Sequence, residues 1–230
     1  MLAVVSDIHG NYPALLSVFD KIDKLGCTKI ISLGDVVGYY TLPHKCIDLL
    51  MERNVLNLLG NHDKYLINNE VCLRSSFVTS TLQNHKKLLN KKQFDWLSKS
   101  LNKYIEDNNF FVHGGLKDNQ EQYLYKVSTE DFPPEIKNMF TGHTHVQSLL
   151  RFDQQSYCNP GSVGQPRDGD PRAAFAVLKN DKTINLHRVE YDIDKIAYEM
   201  KKAGYEPFSY ENLYKGTQIG GRVDTVKKEN

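Results

Sequence analysis

Five short polar clusters in this chain carry residue types that hold metal ions. They are Asp7-Ile8-His9, Gly34-Asp35, Gly60-Asn61-His62-Asp63, Val112-His113-Gly114 and Gly142-His143-Thr144-His145, and each follows an apolar run. Aspartate oxygens, an amide oxygen and imidazole nitrogens are hard-to-borderline donors. They suit Mn, Fe, Zn, Co or Ni better than calcium, and no cysteine joins them. Taken alone, a Gly-Asp is more often the start of a turn, and Asp7-x-His9 is a weak signal. His143-x-His145 says more, because buried unpaired imidazoles cost free energy unless hydrogen-bonded or ligated. Together the five clusters point to two divalent metal ions. Asp35, between Gly34 and Gly38, is the carboxylate expected to be shared, since glycines let the backbone turn sharply and come close to what Asp35 holds.

The elements that must position these residues follow from apolar patterning. Leu2–Val5 reads as a buried strand, and a helix begins near Tyr12-Pro13, with Leu15, Val18, Phe19, Ile22 and Leu25 on one face and Gly26 closing it. Strand Lys29–Ser32 completes a β-α-β unit and predicts a parallel sheet. A carboxylate at the end of such a strand sits where open α/β sheets place ligands. A helix from Pro43 and a third strand over residues 54–59 come next. Residues 64–103 predict two or three helices with a break near Asn90. A hairpin turns at Asp107-Asn108, a long loop covers residues 116–134, and residues 135–139 form a short helix or strand. Residues 147–152 and 155–158 pair antiparallel, a late hairpin turns at Asn180-Asp181, and an amphipathic helix covers residues 192–202. The tail from Tyr205 is weak in signal. No internal repeat or low-complexity linker interrupts residues 1–230, which predicts one domain.

Composition excludes some classes. In 230 residues, Lys plus Arg number 29 and Asp plus Glu 28, a net charge of +1 that leaves no footprint for bulk nucleic-acid or membrane-surface binding. Cys27, Cys46, Cys72 and Cys158 lack C-x-x-C spacing and read as reduced thiols of a cytoplasmic protein. The opening Met1-Leu2-Ala3-Val4-Val5 has no basic region of the signal-peptide kind, and no apolar run is long enough to span a bilayer. His44, His85 and His187 lie in or beside polar segments and read as solvated. Tyr39, Tyr40, Tyr123 and Tyr125 could stack on a base, but core cover is the commoner use.

The ordered motif series resembles that of the calcineurin-like metallophosphoesterase superfamily. The stretch Asn159-Pro160-Gly161-Ser162-Val163-Gly164-Gln165-Pro166-Arg167 is similar to its small YfcE-like phosphodiesterase branch. The resemblance runs from residue 6 to about residue 178. It implies a four-layer α-β-β-α sandwich of two mixed sheets flanked by helices, with a dinuclear centre at the loops. It implies Asp7, His9, Asp35 and His145 on one metal and Asp35, Asn61, His113 and His143 on the other. His62 would be the catalytic residue that is not a ligand, and Asp63 its orienting partner. Two departures touch the cleft rim. Val37-Gly38-Tyr39-Tyr40 stands where the Ser/Thr phosphatases carry Asp-Arg-Gly, and Tyr40-Thr41-Leu42-Pro43 where the YfcE-like branch often has Gly-Pro. Arg167 is a candidate substrate contact or a solvent-facing loop arginine.

The implied chemistry is hydrolysis of a small phosphorylated or nucleotide substrate by a metal-bridging hydroxide, in line at phosphorus, with His62 beside the leaving oxygen. Diesters stand slightly ahead of monoesters on branch resemblance. The alternatives are a phosphomonoesterase, a dinucleoside polyphosphate hydrolase and, remotely, a non-catalytic scaffold of the same fold.

Overall fold

The structure, a computed structural model, describes residues 1–229. In chain order the elements are β1 (Leu2–Val5), α1 (Tyr12–Lys24), β2 (Lys29–Ser32), α2 (Pro43–Glu52), β3 (Leu56–Asn57), α3 (Asn61–Asn68), α4 (Ser76–Leu88) and α5 (Lys91–Leu97). The second half comprises β4 (Lys103–Glu106), β5 (Asn109–Val112), β6 (Lys126–Val127), β7 (Asn138–Phe140), β8 (Ser148–Arg151), β9 (Ser156–Asn159), β10 (Ala173–Leu178), β11 (Ile184–Val189), α6 (Ile193–Lys202) and β12 (Lys227–Lys228).

Two five-stranded mixed sheets stack. The first runs β11-β10-β1-β2-β3 and the second β4-β5-β7-β9-β8. Period-two alternation makes the sandwich. Leu2 and Val4 of β1 meet Phe111, Phe140 and Cys158 of the second sheet, while Ala3 and Val5 face the helices and pack with Leu15, Val18, Ile22, Ile47 and Leu50. The outer face of the second sheet buries Phe110, Val112, Met139 and Tyr157 under Leu124, Val127, Phe132 and Ile136. Its cover is therefore a loop with one turn of 3-10 helix (Thr129–Asp131) rather than a long helix.

β1, β2 and β3 are mutually parallel, as are β5, β7 and β9. Their carboxyl ends lie towards one rim, so residues after six strands can converge there. The structure corrects one expectation and resolves two. The third strand is only Leu56–Asn57, because Asn54 turns with φ +50° and Leu59 is drawn off to the carbonyl of Leu101. Of the helix or strand expected at residues 135–139, the structure forms the strand, β7, at Asn138–Phe140. The tail is ordered: 3-10 turns at Pro207–Ser209 and Glu211–Lys215 lead to β12, which pairs in parallel with β6. Asn90 does mark the break between α4 and α5, as the N-cap of a capping box.

Candidate metal centre

The strand ends bring Asp7, His9, Asp35, Asn61, His113, His143 and His145 into one buried cluster, all at most 3% exposed. Backbone strain marks the site. Asp7, His9, Asp35, Tyr39, His143 and His145 all have φ between +51° and +65°, a region that costs non-glycine residues about 1–2 kcal/mol each. The strain is held by long-range ties. Ser162 Oγ and the Gly164 amide both donate to the Asp7 carbonyl (2.7 and 3.0 Å), and Asn159 Nδ2 donates to the carbonyl of Gly142 (2.7 Å). Gly164 must be glycine, because a Cβ there would overlap the Ile8 carbonyl.

Three rings are fixed from behind. His9 Nδ1 donates to Val37 O (2.9 Å), His113 Nδ1 to Leu33 O (3.1 Å) and His145 Nδ1 to Gln165 O (2.7 Å). A carbonyl cannot donate, so these bonds put a proton on Nδ1, and in the neutral ring Nε2 is then a lone pair turned inward. Those lone pairs face other acceptors. His9 Nε2 is 3.2 Å from His145 Nε2, and His145 Nε2 is 3.3 Å from Asp7 Oδ1. His113 Nε2 is 3.2 Å from both Asn61 Oδ1 and His143 Nδ1, and 3.4 Å from Asp35 Oδ2. Asp7 Oδ1 has no hydrogen-bond partner among the described residues. Acceptors crowded this closely repel unless a cation lies among them. Metal–ligand bonds of about 2.0–2.2 Å place neighbouring donors at about such separations.

Three groups of side chains bring ligand atoms together: Asp7, His9 and His145; His9, Asp35 and His62; and Asp35, His113 and His143, with Asn61 against the last through His113. Asp35 Oδ2 is 3.7 Å from His9 Nε2 and 3.4 Å from His113 Nε2, so it faces both rings. Electrostatics agree. Burial pushes Asp7 up to about 6 and His9, His143 and His145 well below the usual imidazole range. Burial also disfavours the Asp35 anion, but His113, His62 and His9 outweigh it and hold the carboxyl well below its usual range. His113 is pushed up to about 9 because Asp35 and Asp7 outweigh the burial that would lower it. A proton on His113 thus stands in for positive charge that a metal supplies when bound.

His62 lies beside the cluster, its Nε2 3.9 Å from Asp35 Oδ2 and its Nδ1 without a partner. Burial lowers it to about 4. Asn61 and His62 diverge because they open helix α3, about 100° apart per residue, and not because an extended loop alternates them. The expectation that Asp63 orients the His62 ring is corrected. Asp63 Oδ1 accepts from the amides of Val36 and Val37 (3.0 and 3.1 Å) and Oδ2 from Gly60 (3.3 Å). Asp63 therefore braces the loop after Asp35 and reaches His62 only through backbone. Gly38 packs against His62 Nδ1 where a side chain would collide.

Arg167 does not face solvent. It is 7% exposed, with Nε and Nη2 donating to Gln165 Oε1 (3.0 and 2.6 Å) and Nη2 also to the Tyr39 hydroxyl (3.1 Å). Tyr40 is core cover as expected, Tyr39 packs partly buried against the core and also borders the site, and Tyr123 is exposed on one side. The Tyr39 ring lies 5.1 Å from that of His62, Tyr123 stacks on His143 at 3.8 Å, and Tyr125 stacks on Tyr123. His85 is also corrected. It is 1% exposed, and its Nδ1 accepts from the Gly38 amide at 3.1 Å. The spacing Val78, Thr81, Leu82, His85 put it on the buried stripe of α4, and that signal could have found it.

The chain is similar to several known proteins. Residues 1–183 match the calcineurin-like phosphoesterase superfamily domain. The chain is 32% identical to the uncharacterized protein MJ0912 of Methanocaldococcus jannaschii, over 94% of this chain and 98% of that one. It is 27% identical to phosphodiesterase YfcE of Escherichia coli, over 78% and 88%. Among solved structures, a metallophosphoesterase from Sphaerobacter thermophilus superposes with a TM-score of 0.80 at 28% identity, over 94% of this chain and 99% of that one.

Proposed function

The chain belongs to the calcineurin-like phosphoesterase superfamily, and from that premise we propose that it is a dinuclear metal-dependent phosphoesterase with a slight preference for diesters. One observation carries the reading: inward lone pairs of His9, His113 and His145, fixed by carbonyls behind each ring, converge with Asp7 and Asp35. Asp7, His9, Asp35 and His145 would hold one ion, and Asp35, Asn61, His113 and His143 the other. When bound, the ions supply Lewis acidity and a hydroxide near neutral pH.

The chain's own groups do the rest. Asp35 fixes the spacing of the two ligand sets. The burial that keeps solvent from the cluster strengthens every charge interaction in it. His62 would present a ring N–H to the leaving oxygen. Arg167 offers charge to a phosphate from the Tyr39 side. No helix among the described residues is long and apolar enough to cross a membrane, and the four cysteines are unpaired. A cytoplasmic setting accords with that thiol chemistry.

The test is turnover of bis(p-nitrophenyl) phosphate and of p-nitrophenyl phosphate by Mn-loaded protein, before and after chelation. Saturable hydrolysis that EDTA removes and Mn restores supports the reading, and the ratio of the two kcat/KM values decides diester against monoester. No turnover with Mn, Fe, Zn, Co or Ni sinks it in favour of a binding scaffold.

A further inference from the structure

A cleft of about 360 Å³ opens beside the metal cluster, lined by Tyr39, Arg74, Phe77, Arg167, Phe208 and Ile219 among others. That volume lies within the ~300–1,000 Å³ typical of small-molecule sites. It shares walls with the centre. The Tyr39 ring meets His9 edge-on at 4.7 Å and lies 5.1 Å from His62, and the Arg167 amide donates to the His145 carbonyl at 3.2 Å.

The two ends of the cleft differ in chemistry. At one end Arg167 is buried with no carboxylate bonded to it, held by neutral oxygens of Gln165 and Tyr39, and its Nη1 makes no hydrogen bond among the described residues. A buried guanidinium without a counter-anion is costly, and its free edge suits an anion. Arg74 adds a second guanidinium at the rim, bonded to Glu121 on one side and lying 5.3 Å over the Tyr123 ring. At the other end Phe77 and Phe208 meet at 5.9 Å, and Phe208 is 56% exposed. A bare phosphate would leave these rings wet, and an apolar ligand would leave Arg167 unpaired.

We propose that this cleft holds the organic part of the substrate and selects a nucleoside phosphate, the arginines taking its charge and Phe77 and Phe208 its base. The word substrate here rests on the phosphoesterase reading; the binding chemistry does not. Phe208 and Ile219 lie beyond residue 183, where the family match ends, so this wall is an addition to the catalytic domain.

The test measures binding to the full Mn-loaded chain by equilibrium dialysis. One ligand is the phosphonate analogue of AMP, in which a P–C bond replaces the ester, and the other is methylphosphonate. Stacking of one base predicts that the AMP analogue binds at least about tenfold tighter. Phe208→Ala, a change at an exposed ring, and Phe77→Ala should each remove most of that advantage, and Arg74→Ala should weaken the AMP analogue further. Equal binding of the two ligands, or an advantage that survives both Phe substitutions, overturns the proposal. Turnover of bis(p-nitrophenyl) phosphate, assayed alongside, separates the two claims. Turnover without nucleoside selectivity retains the enzyme and rejects the cleft, while selectivity without turnover does the reverse.

Discussion

The candidate metal cluster and the cleft beside it are built in opposite ways. In the cluster, three imidazole rings are each pinned by a backbone carbonyl, and the candidate ligands are almost wholly buried at the ends of strands of two sheets. In the cleft, contacts run from side chain to side chain: Arg167 to Gln165 and Tyr39, Arg74 to Glu121, Phe77 to Phe208. Its parts come from the loop after β2, the start of α4 and the residues before it, the loop at Arg167 and the tail. The difference teaches where each property can change. A ligand set tied to the strand framework is fixed with the fold, whereas a rim of exchangeable side chains can be altered without disturbing it.

Substitutions can break this comparison, the most damaging first. Asp35→Asn should abolish turnover, because one shared anion serves both ligand sets. Residual activity within tenfold of wild type would show that the sets are independent. His62→Ala should lower kcat by about 10²–10⁴-fold while keeping the metals, as removal of a proton donor does. The defect should shrink as the leaving group's pKa falls, since a nitrophenolate leaves almost unaided. A lost metal in that variant would make His62 a ligand, a role that its closeness to His9 and Asp35 permits. Arg167→Ala should raise KM more than it lowers kcat, the pattern of uniform binding. Equal falls in kcat and kcat/KM would move Arg167 from the rim into the transition state.

The smallest effect concerns stability. Burial holds His85 at about 3, below the usual 6.5, while its Nδ1 accepts from Gly38. The folded state therefore resists protonation that the unfolded chain accepts. This contribution is fully present above pH 6.5 and is lost as pH falls from there towards 3, by about 1.4 kcal/mol per unit. Thermal melts of wild type and His85→Gln across pH 7 to 4.5 should converge as pH falls. Parallel curves would show that His85 carries no proton linkage.

The sequence made the cluster legible because its signal is residue type at strand ends. Asp7, His9, Asp35, His143 and His145 each close an apolar run that became β1, β2 or β7, and no packing detail was needed to find them. The short β3 escaped because its length is set by where Leu101 intrudes, a tertiary matter. The role of Asp63 is hidden because adjacency to His62 along the chain says nothing of the amides of Val36 and Val37 brought against it from the loop after β2. Tyr123 and Phe208 carry no pattern at all, since aromatic rings on loops look alike whether they cover core or ring a cleft. His85 was legible in the stripe of α4 and was masked by the polar residues around it.

The central claim is one dinuclear centre joined through Asp35, and metal content tests it most directly. Elemental analysis of the purified chain, loaded with Mn and dialysed, should give two ions per wild-type chain, two for His62→Ala and close to none for Asp35→Asn. One ion in the wild type, or two retained in Asp35→Asn, would contradict it.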